Sequence, residues 1–488
     1  QAPTGAGKTR AALAPFIEAF YHLNPDQFPR QCFYIVPTRV LANQFEIEYR
    51  ELMESFEQSF GRSMKVRLQT GERSEDPLWM GDLVFATVDQ MLSSTLGVPY
   101  SLSPGQANLN PGAFIGAYLI FDEFHLFPSN SQRTVLLLLQ LLRRHTPFIL
   151  MTATFSQTMV EEIAGLLEAE TEVVPLEEVG QIETRGGKPR RTRTLHVLES
   201  PLTAASVIGK HDRHSLVVCN TVERAISIYN DLVKQGCRPV PFADPVLHPH
   251  YERIRRACSS LEFRDSLDSA LRTLATLLAD APTATRWVMV LHSRFERSHR
   301  QLKEAFLRAT CGPKPALYLP SLLVVATQVV EVGLDITSQV LHTEIAPAAS
   351  IIQRFGRCAR YPGEHGQVYV YQVPERKDGK PNYAPYQTEV EETICKRTWQ
   401  VLSEHQGQVL DFTGEQVVVN YAHHDADQAA LQAMRENEGH LWQLIRDGMI
   451  CGEASVRPEL VRQVDSRTLI VYDAPDGLTE ESPFRYEG

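Results

Sequence analysis

The sequence predicts an α/β protein made of two successive parallel-sheet domains and a mainly helical C-terminal region. Short apolar runs recur along the chain, and each is followed by polar sequence that is compatible with a helix. This alternation is typical of buried parallel strands joined by helices. It is interrupted once, by the basic and Gly-rich stretch 184–193, and then begins again. The length of 488 residues is enough for about three domains.

The first predicted domain spans residues 1–183 and opens with a helix that follows a Gly-rich loop. Four apolar side chains near its start have the spacing of one helix face: Leu13, Phe16, Ile17 and Phe20. Four apolar runs predict its strands: 32–37, 82–87, 117–123 and 148–154. A phosphate-binding loop normally leaves the end of a buried strand, so we expect a first strand and further native sequence upstream of residue 1.

A linker over 184–194 and a second domain over 195–373 follow. Four segments predict the strands of this domain: 216–232 (a strand and then a helix), 287–295, 322–328 and 340–345. An insertion rich in Pro, Arg and Leu lies at about 238–285. Residues 374–488 form an accessory region, in which regular charge spacing from Glu389 to His405 predicts a helix.

Composition limits the classes of function. The net charge of −11 gives no general attraction to nucleic acid, so such a ligand requires a local basic groove. The longest apolar runs are too short to cross a bilayer, so we expect no membrane association. Eight cysteines are scattered without a Cys-x-x-Cys pair, which favours reduced thiols in a cytoplasmic protein over a zinc ribbon or a disulfide framework.

The stretch GAGKT at 5–9 predicts a nucleoside triphosphate site. Backbone amides of such a loop hold the phosphates, Lys8 neutralises the β and γ groups, and the Thr9 hydroxyl coordinates Mg²⁺. The residues expected at the phosphates are Thr4, Gly5, Ala6, Gly7, Lys8 and Thr9. The strict pattern asks for Gly where this chain has Ala2. The alternative, a Gly-rich turn, explains neither the Lys-Thr pair nor the helix after it.

Two further elements supply hydrolytic chemistry. FDEFH at 121–125 follows an apolar run, and adjacent carboxylates repel each other unless a cation lies beside them. We expect Asp122 to bind Mg²⁺ and Glu123 to orient and deprotonate the attacking water; an exposed acidic turn is the alternative.

The second element is QRFGRCAR at 353–360, near the end of the second domain. Phosphoryl transfer needs positive charge on the γ-phosphate, and arginines from a second domain can supply it. We expect Arg357 and Arg360 to reach the nucleotide, with Gln353 and Arg354 completing the same surface. A basic surface helix is the alternative.

These motifs resemble the superfamily-two helicases of the DEAD and DEAH type over roughly residues 1–372. Five other segments match the motifs of these helicases in the expected order: 36–44, 86–92, 151–154, 220–225 and 326–336. The resemblance implies two RecA-like domains that close on ATP. It implies strand contacts by Thr38, Arg39, Thr87, Gln90, Thr221 and Thr327. It also implies that Gly333 and Asp335 lie near the ribose, and that Thr152, Thr154 and His125 couple hydrolysis to strand movement.

A narrower resemblance is to the helicase half of the CRISPR-associated helicase-nuclease of type I immunity. It is carried by FDEFH, by residues 88–99 and 291–297, and by the stretch from Gly356 to Tyr371. It implies 3′ to 5′ translocation on single-stranded DNA, recruitment to a guide-RNA effector complex, and an HD-type nuclease that is fused or separate.

The chain departs from that nuclease. Its only related fragments are His211-Asp212-Arg213-His214 and the stretch 423–427, which has the sequence HHDAD. We expect both to be solvated loops or helix faces, and we expect no nuclease activity in this chain. A nuclease domain would then lie upstream or on a partner.

Two other functions stay open. One is a DEAD-type RNA helicase, and the other is a scaffold that binds ATP as a switch within a larger complex. The hydrolytic residues Glu123, Arg357 and Arg360 weigh against a scaffold. A P-loop kinase or GTPase fits poorly, because neither requires a second α/β domain with paired arginines.

Overall fold

The computed structural model describes residues 7–22, 28–103, 105–172, 190–257, 260–279 and 281–462. The predicted fold class is confirmed, because two parallel sheets flanked by helices are followed by a helical region. Most of the predicted linker lies outside these ranges, and Thr192 to Thr194 at its end belong to a strand of the second sheet.

The first sheet contains five strands in the order β2-β3-β1-β4-β5 among the described residues. These strands are β1 (Cys32–Val36), β2 (Val66–Gln69), β3 (Leu83–Thr87), β4 (Tyr118–Phe121) and β5 (Phe148–Leu150). All their pairings are parallel. Alternate side chains of β1 enter different apolar clusters, Phe33 on one face and Tyr34 on the other. The sheet is therefore covered on both faces.

The second sheet has the order β6-β12-β11-β7-β10-β9-β8 in the part of the chain that the structure describes. Its strands are β6 (Thr192–Pro201), β7 (His214–Val218), β8 (Arg238–Pro239), β9 (Trp287–Leu291), β10 (Leu322–Ala326), β11 (Val340–Glu344) and β12 (His365–Gln372). These pairings are also parallel. The inner strands β7, β9, β10 and β11 are wholly buried, whereas the edge strand β6 is largely exposed in its second half.

The α-helices are α1 (Lys8–His22), α2 (Arg39–Phe60), α3 (Val88–Thr95), α4 (Asn110–Ala113), α5 (Ser129–Leu142), α6 (Gln157–Leu167), α7 (Ala204–Ile208), α8 (Val222–Lys234), α9 (His248–Arg256), α10 (Ser260–Ala279), α11 (Arg297–Cys311), α12 (Ala348–Phe355), α13 (Glu389–Glu404), α14 (Phe412–Glu436), α15 (Glu438–Cys451) and α16 (Arg457–Leu460). Helix α13 confirms the prediction from charge spacing. The predicted insertion contains α9 and α10, whose apolar faces pack into the core of the second sheet.

The C-terminal helices return to both domains. Val418 and Val419 of α14 belong to the core cluster of the second sheet, and Leu431 and Met434 of the same helix belong to a cluster of the first. Side chains of α15 and α16 continue that contact with the first sheet. In the described ranges, every helix is too short or too polar to traverse a bilayer.

Candidate active site

The candidate residues follow the carboxyl ends of the strands, which is where open α/β sheets bind ligands. Gly7 has a φ of +86° and its carbonyl accepts a hydrogen bond from the Ala11 amide at 3.0 Å, so the phosphate loop passes directly into α1. Lys8 and Thr9 begin that helix. Thr4, Gly5 and Ala6 lie outside the described residues.

A tyrosine joins the two predicted magnesium ligands. The Tyr34 hydroxyl, fully buried on β1, donates a hydrogen bond to Oδ2 of Asp122 at 2.7 Å and also contacts the side chain of Thr9. The backbone amide of Glu123 donates to the other oxygen, Oδ1, at 2.9 Å. Burial and the neighbouring Glu123 charge together raise the pKa of Asp122 to about 6, against the opposing effect of Lys8. A hydroxyl and a carboxylate gathered in this way are oxygen donors of the kind that Mg²⁺ prefers.

Glu123 lies in a strained position beside these ligands. Its φ of +48° is in the left-handed region, which a residue with a side chain adopts only when its surroundings impose it. Its buried Oε2 atom has no hydrogen-bond partner. Burial alone would raise the pKa of this carboxyl, but Lys8, His125, Arg357 and Arg360 outweigh that effect and lower it. Glu123 is therefore an ionised, unsatisfied acceptor within electrostatic reach of the second domain.

His125 forms one direct link between the domains. Its Nε2 atom lies 2.6 Å from Nε2 of Gln353 on α12, and its Nδ1 atom lies 3.1 Å from the Thr152 hydroxyl. Burial lowers the pKa of His125 to about 4. The imidazole is therefore neutral. The nearby hydroxyl of Thr154 is buried without a partner.

The two arginines after α12 are held by groups of the second domain. Arg357 donates to the backbone oxygens of Val330 at 2.8 Å and Glu331 at 2.5 Å. Burial and the neighbouring Arg360 charge together lower the pKa of Arg357 to about 9, against the opposing effects of Asp335 and Glu123. Arg360 forms an ion pair with Asp335 and donates to the Gly356 oxygen at 3.2 Å.

Arg354 corrects one prediction. Its side chain is fully buried and does not join a surface facing the nucleotide. The guanidinium donates to Oε1 of Glu331 at 2.8 Å, to the Thr343 hydroxyl at 2.9 Å and to the backbone oxygen of Glu344 at 3.0 Å. A buried charge must be paired and hydrogen-bonded. Because two of these partners, Thr343 and Glu344, belong to β11, Arg354 holds α12 against the second sheet.

Gly333 contacts the first domain directly. Its φ is +82°, and a Cβ atom at this position would lie 3.0 Å from Cγ1 of Val40 on α2. Val332 packs into an apolar cluster of the first sheet. This loop, which we expected beside the ribose, therefore forms part of the domain interface, and its Asp335 carboxylate is engaged by Arg360 and the Tyr361 hydroxyl.

The predicted strand-binding residues lie at the ends of four strands, two in each sheet. Thr38 and Thr221 are N-caps whose hydroxyls accept from the amides of Leu41 and Arg224. A hydroxyl that accepts a capping bond keeps its own proton for another acceptor. The other predicted contacts are Thr87 at the end of β3, Gln90 on α3, Thr327 after β10, and Arg39 at the start of α2.

The two His-Asp fragments have different surroundings. His211 makes contacts of 2.7 Å with the Ser215 hydroxyl and 2.8 Å with that of Ser321. His423 lies on α14, where Nε2 is 3.4 Å from the Ala349 amide, and Asp427 accepts a hydrogen bond from Ser156. Across the described ranges, the structure contains no cluster of three His, Cys, Asp or Glu side chains suited to a metal ion.

Sequence reasoning missed several residues that shape this site. Tyr34 resembles any other member of an apolar strand, so nothing in the sequence marks its contact with Asp122. Glu331 carried a signal, because it is the single carboxylate inside the apolar run 329–334. Helix α14 also touches the site, since Gln416 donates to the Ala153 oxygen at 3.2 Å and Asn420 accepts from the Gln157 amide at 2.8 Å.

Comparison with known proteins gives two family matches. Residues 1–163 match the DEAD/DEAH box helicase family, and residues 256–363 match the C-terminal part of the CRISPR-associated nuclease/helicase Cas3 family. The chain is therefore similar in two separate stretches to helicase families, one of which is Cas3-like. Its relatives include a CRISPR-associated endonuclease/helicase Cas3 of Thermus thermophilus, 25% identical over 83% of this chain and 47% of the relative. A CRISPR-associated helicase Cas3 of Thermoproteus tenax is 24% identical over 76% of this chain and 55% of the relative.

Solved structures agree with this Cas3-like fold. A crystal structure of T. fusca Cas3 with ATP superimposes with a TM-score of 0.62 at 18% identity, covering 92% of this chain and 52% of that one. A CRISPR RNA-guided surveillance complex, pre-nicking, contains a chain that gives a TM-score of 0.58 at 19% identity, with coverage of 92% and 51%. The chain spans about half the length of the curated relatives it matches.

Proposed function

We propose that this chain is an ATP-driven helicase that moves along single-stranded DNA in type I CRISPR interference. The observation that carries the proposal is the contact between neutral His125 and Gln353. It joins the turn that holds the hydrolytic carboxylates to the helix that leads to the two arginines. An ATPase whose domains are coupled at the nucleotide needs a connection of this kind.

The hydrolytic roles follow from charge. Lys8 and the amides of the phosphate loop bind the phosphates of ATP. Glu123 stays ionised because the charges of Lys8, Arg357 and Arg360 lower its pKa. Its unsatisfied Oε2 accepts a hydrogen bond, and then a proton, from the attacking water. The left-handed backbone at Glu123 directs its side chain differently from that of a residue in an ordinary conformation. The packing of Phe124 in the core offsets the cost of this strain.

Thr9 and Asp122 fit magnesium. Bound at these oxygens, Mg²⁺ would neutralise negative charge on the phosphate oxygens of ATP. The chain's own contribution is orientation: the Tyr34 hydroxyl and the Glu123 amide fix both oxygens of the Asp122 carboxylate. Proton loss from Asp122 is part of binding, since burial raises its pKa to about 6.

Movement follows from changing contacts between the domains. ATP favours the closed pair, since Lys8 and Glu123 lie on one domain and Arg357 and Arg360 on the other. Arg360 would exchange Asp335 for the γ-phosphate, and loss of that phosphate would reverse the exchange. The Gln353–His125–Thr152 chain would carry the change to the loop before α6, which helix α14 also contacts.

The strand would lie across the carboxyl ends of both sheets. The hydroxyls of Thr38 and Thr221 can donate to backbone phosphates while still capping their helices, and Arg39 adds positive charge. Such contacts read no base sequence. This agrees with a motor that follows any target selected by a guide RNA.

The names of the relatives support the biological setting of the proposal. They are CRISPR-associated helicases or nuclease/helicases, and one structural neighbour belongs to an RNA-guided surveillance complex. We propose a guide-RNA effector complex as the partner, with a nuclease domain or subunit that degrades the unwound strand. Reduced cysteines in the described ranges fit a cytoplasmic location.

Unwinding of tailed duplexes tests the proposal. Two DNA duplexes of the same sequence carry a single-stranded tail at either the 3′ or the 5′ end. We expect ATP-dependent unwinding of the 3′-tailed duplex alone, and the Glu123→Gln control should bind ATP without unwinding either substrate. Unwinding from the 5′ tail alone would contradict the direction. Preference for tailed RNA would indicate an RNA helicase, and ATP binding without turnover by the unaltered chain would indicate a scaffold.

A further inference from the structure

A single carboxylate connects basic residues of the two domains. Glu72 lies in the loop after β2, where its Oε1 atom is 2.8 Å from Nη1 of Arg39 and its Oε2 atom is 3.5 Å from Nη2 of Arg297. Arg39 begins α2, directly after the first sheet's β1. Arg297 begins α11, after β9 of the second sheet. The three side chains therefore lie at the boundary between the two domains, on the side where the nucleic-acid strand is proposed to run.

The local packing favours this position for Arg39. A Cβ atom on Gly71 would lie 3.8 Å from Nη2 of Arg39, in ordinary van der Waals contact, so the guanidinium rests against the backbone of the loop. The amide of Gln90, another predicted strand contact, lies at the same glycine. The carboxylate is thus set among residues that were selected independently as nucleic-acid contacts.

The pairing is open to water. The exposed fraction is 54% for the Arg39 side chain, 60% for that of Arg297 and 36% for that of Glu72. Exposed ion pairs contribute little to stability, so another anion can replace the carboxylate. A phosphodiester offers two oxygens with one negative charge, and guanidinium groups bind phosphate and carboxylate with the same fork geometry.

We propose that Glu72 occupies the place of one strand phosphate, and that single-stranded nucleic acid displaces it. This inference rests on the proposed function. After displacement, Arg39 and Arg297 hold one phosphate from the two domains, while Glu72 turns into solvent. Glu72 thereby lowers the affinity of the resting protein for nucleic acid, and it limits binding to strands that engage both arginines.

The proposal has a measurable electrostatic consequence. For single strands, the logarithm of the binding constant falls with the logarithm of salt concentration, with a slope of roughly −0.7 for each protein charge that contacts the strand. Glu72 cancels about one such charge. Removal of its charge should therefore strengthen binding at low salt and make the slope steeper by about 0.7.

Fluorescence anisotropy with a labelled single-stranded oligonucleotide tests this across a salt series. The variant Glu72→Gln is compared with the unaltered chain and with Glu75→Gln, a control that removes a carboxylate from the same loop. Glu75 pairs with Arg50 and Arg73 within the first domain. We expect Kd to fall about threefold to tenfold in Glu72→Gln, with the steeper slope. The control should keep the unaltered slope.

The outcomes separate the inference from the proposed function. If the unaltered chain binds the strand and Glu72→Gln matches Glu75→Gln in Kd and slope, the inference is wrong while the proposed function stands. If binding appears only in Glu72→Gln, the inference is supported in its strongest form. If none of the three proteins binds the oligonucleotide, both are wrong.

Discussion

Replacement of Asp122 by asparagine should remove activity and stabilise the protein at the same time. Burial and the Glu123 charge raise the pKa of Asp122 to about 6 from an ordinary value of 3.8. A carboxyl whose pKa is higher in the folded state than in the unfolded state lowers the free energy of unfolding. The reduction grows as the pH rises from the unfolded-state pKa to the folded-state pKa, and it is complete above that range. This difference in pKa corresponds to about 3 kcal/mol of unfolding free energy. The asparagine side chain can keep both contacts, accepting from the Glu123 amide and donating to the Tyr34 oxygen.

The assay is thermal unfolding of both proteins without magnesium or nucleotide, between pH 5 and pH 8. We expect Asp122→Asn to melt higher above pH 6, by roughly 3 °C if the whole chain unfolds as one unit and by roughly 8 °C if the first domain unfolds by itself, and by less at pH 5. ATP hydrolysis should be lost in the same variant, because Mg²⁺ loses a carboxylate ligand. Equal melting temperatures across the pH range would refute the reasoning that this carboxylate is held at the expense of stability.

Two further predictions concern positioning residues. Tyr34→Phe should move the acid limb of the ATPase pH profile to higher pH and raise the Mg²⁺ concentration for half-maximal turnover, because the Tyr34 hydrogen bond lowers the pKa of Asp122; an unchanged profile would contradict this. Gln353→Ala should reduce kcat by about tenfold or more with little change in the KM for ATP, because it breaks a contact between the domains and leaves the phosphate loop intact; a rise in KM alone would show that Gln353 only supports binding.

The sequence predicted those parts of the fold where burial shows in composition. The strands β1, β3, β4 and β5 are nearly continuous apolar runs, and all four were predicted. Strand β2 has only two aliphatic residues in VRLQ, and β6 has polar and charged side chains because it lies at a sheet edge. Neither strand is a continuous apolar run, so the composition of these segments does not predict a strand.

The site divides in the same way. The charges that phosphoryl transfer requires mark Asp122, Glu123, Arg357 and Arg360 in the sequence. The structure brings Arg357 and Arg360 within electrostatic reach of Glu123, the neighbour of Asp122. Arg354 belongs to the same motif, but its pairing with Glu331 depends on how α12 packs against the second sheet.

Contacts between distant segments carry no local signal. The approach of Gly333 to Val40 and the pairing of Glu72 with Arg297 join residues more than two hundred positions apart. Only the arrangement of the two domains creates them. The same holds for α14, because nothing in its sequence shows that it reaches both domains.

Steady-state ATP hydrolysis tests whether both domains act on one ATP in a motor that DNA stimulates. The chain is assayed without polynucleotide, with single-stranded DNA and with single-stranded RNA of equal length, beside Lys8→Ala and Arg360→Ala variants. We expect strong stimulation by DNA. We also expect loss of turnover in both variants, since Lys8 belongs to the first domain and Arg360 to the second. Turnover that persists in Arg360→Ala, or that does not respond to either polynucleotide, would contradict a motor in which both domains act on one ATP.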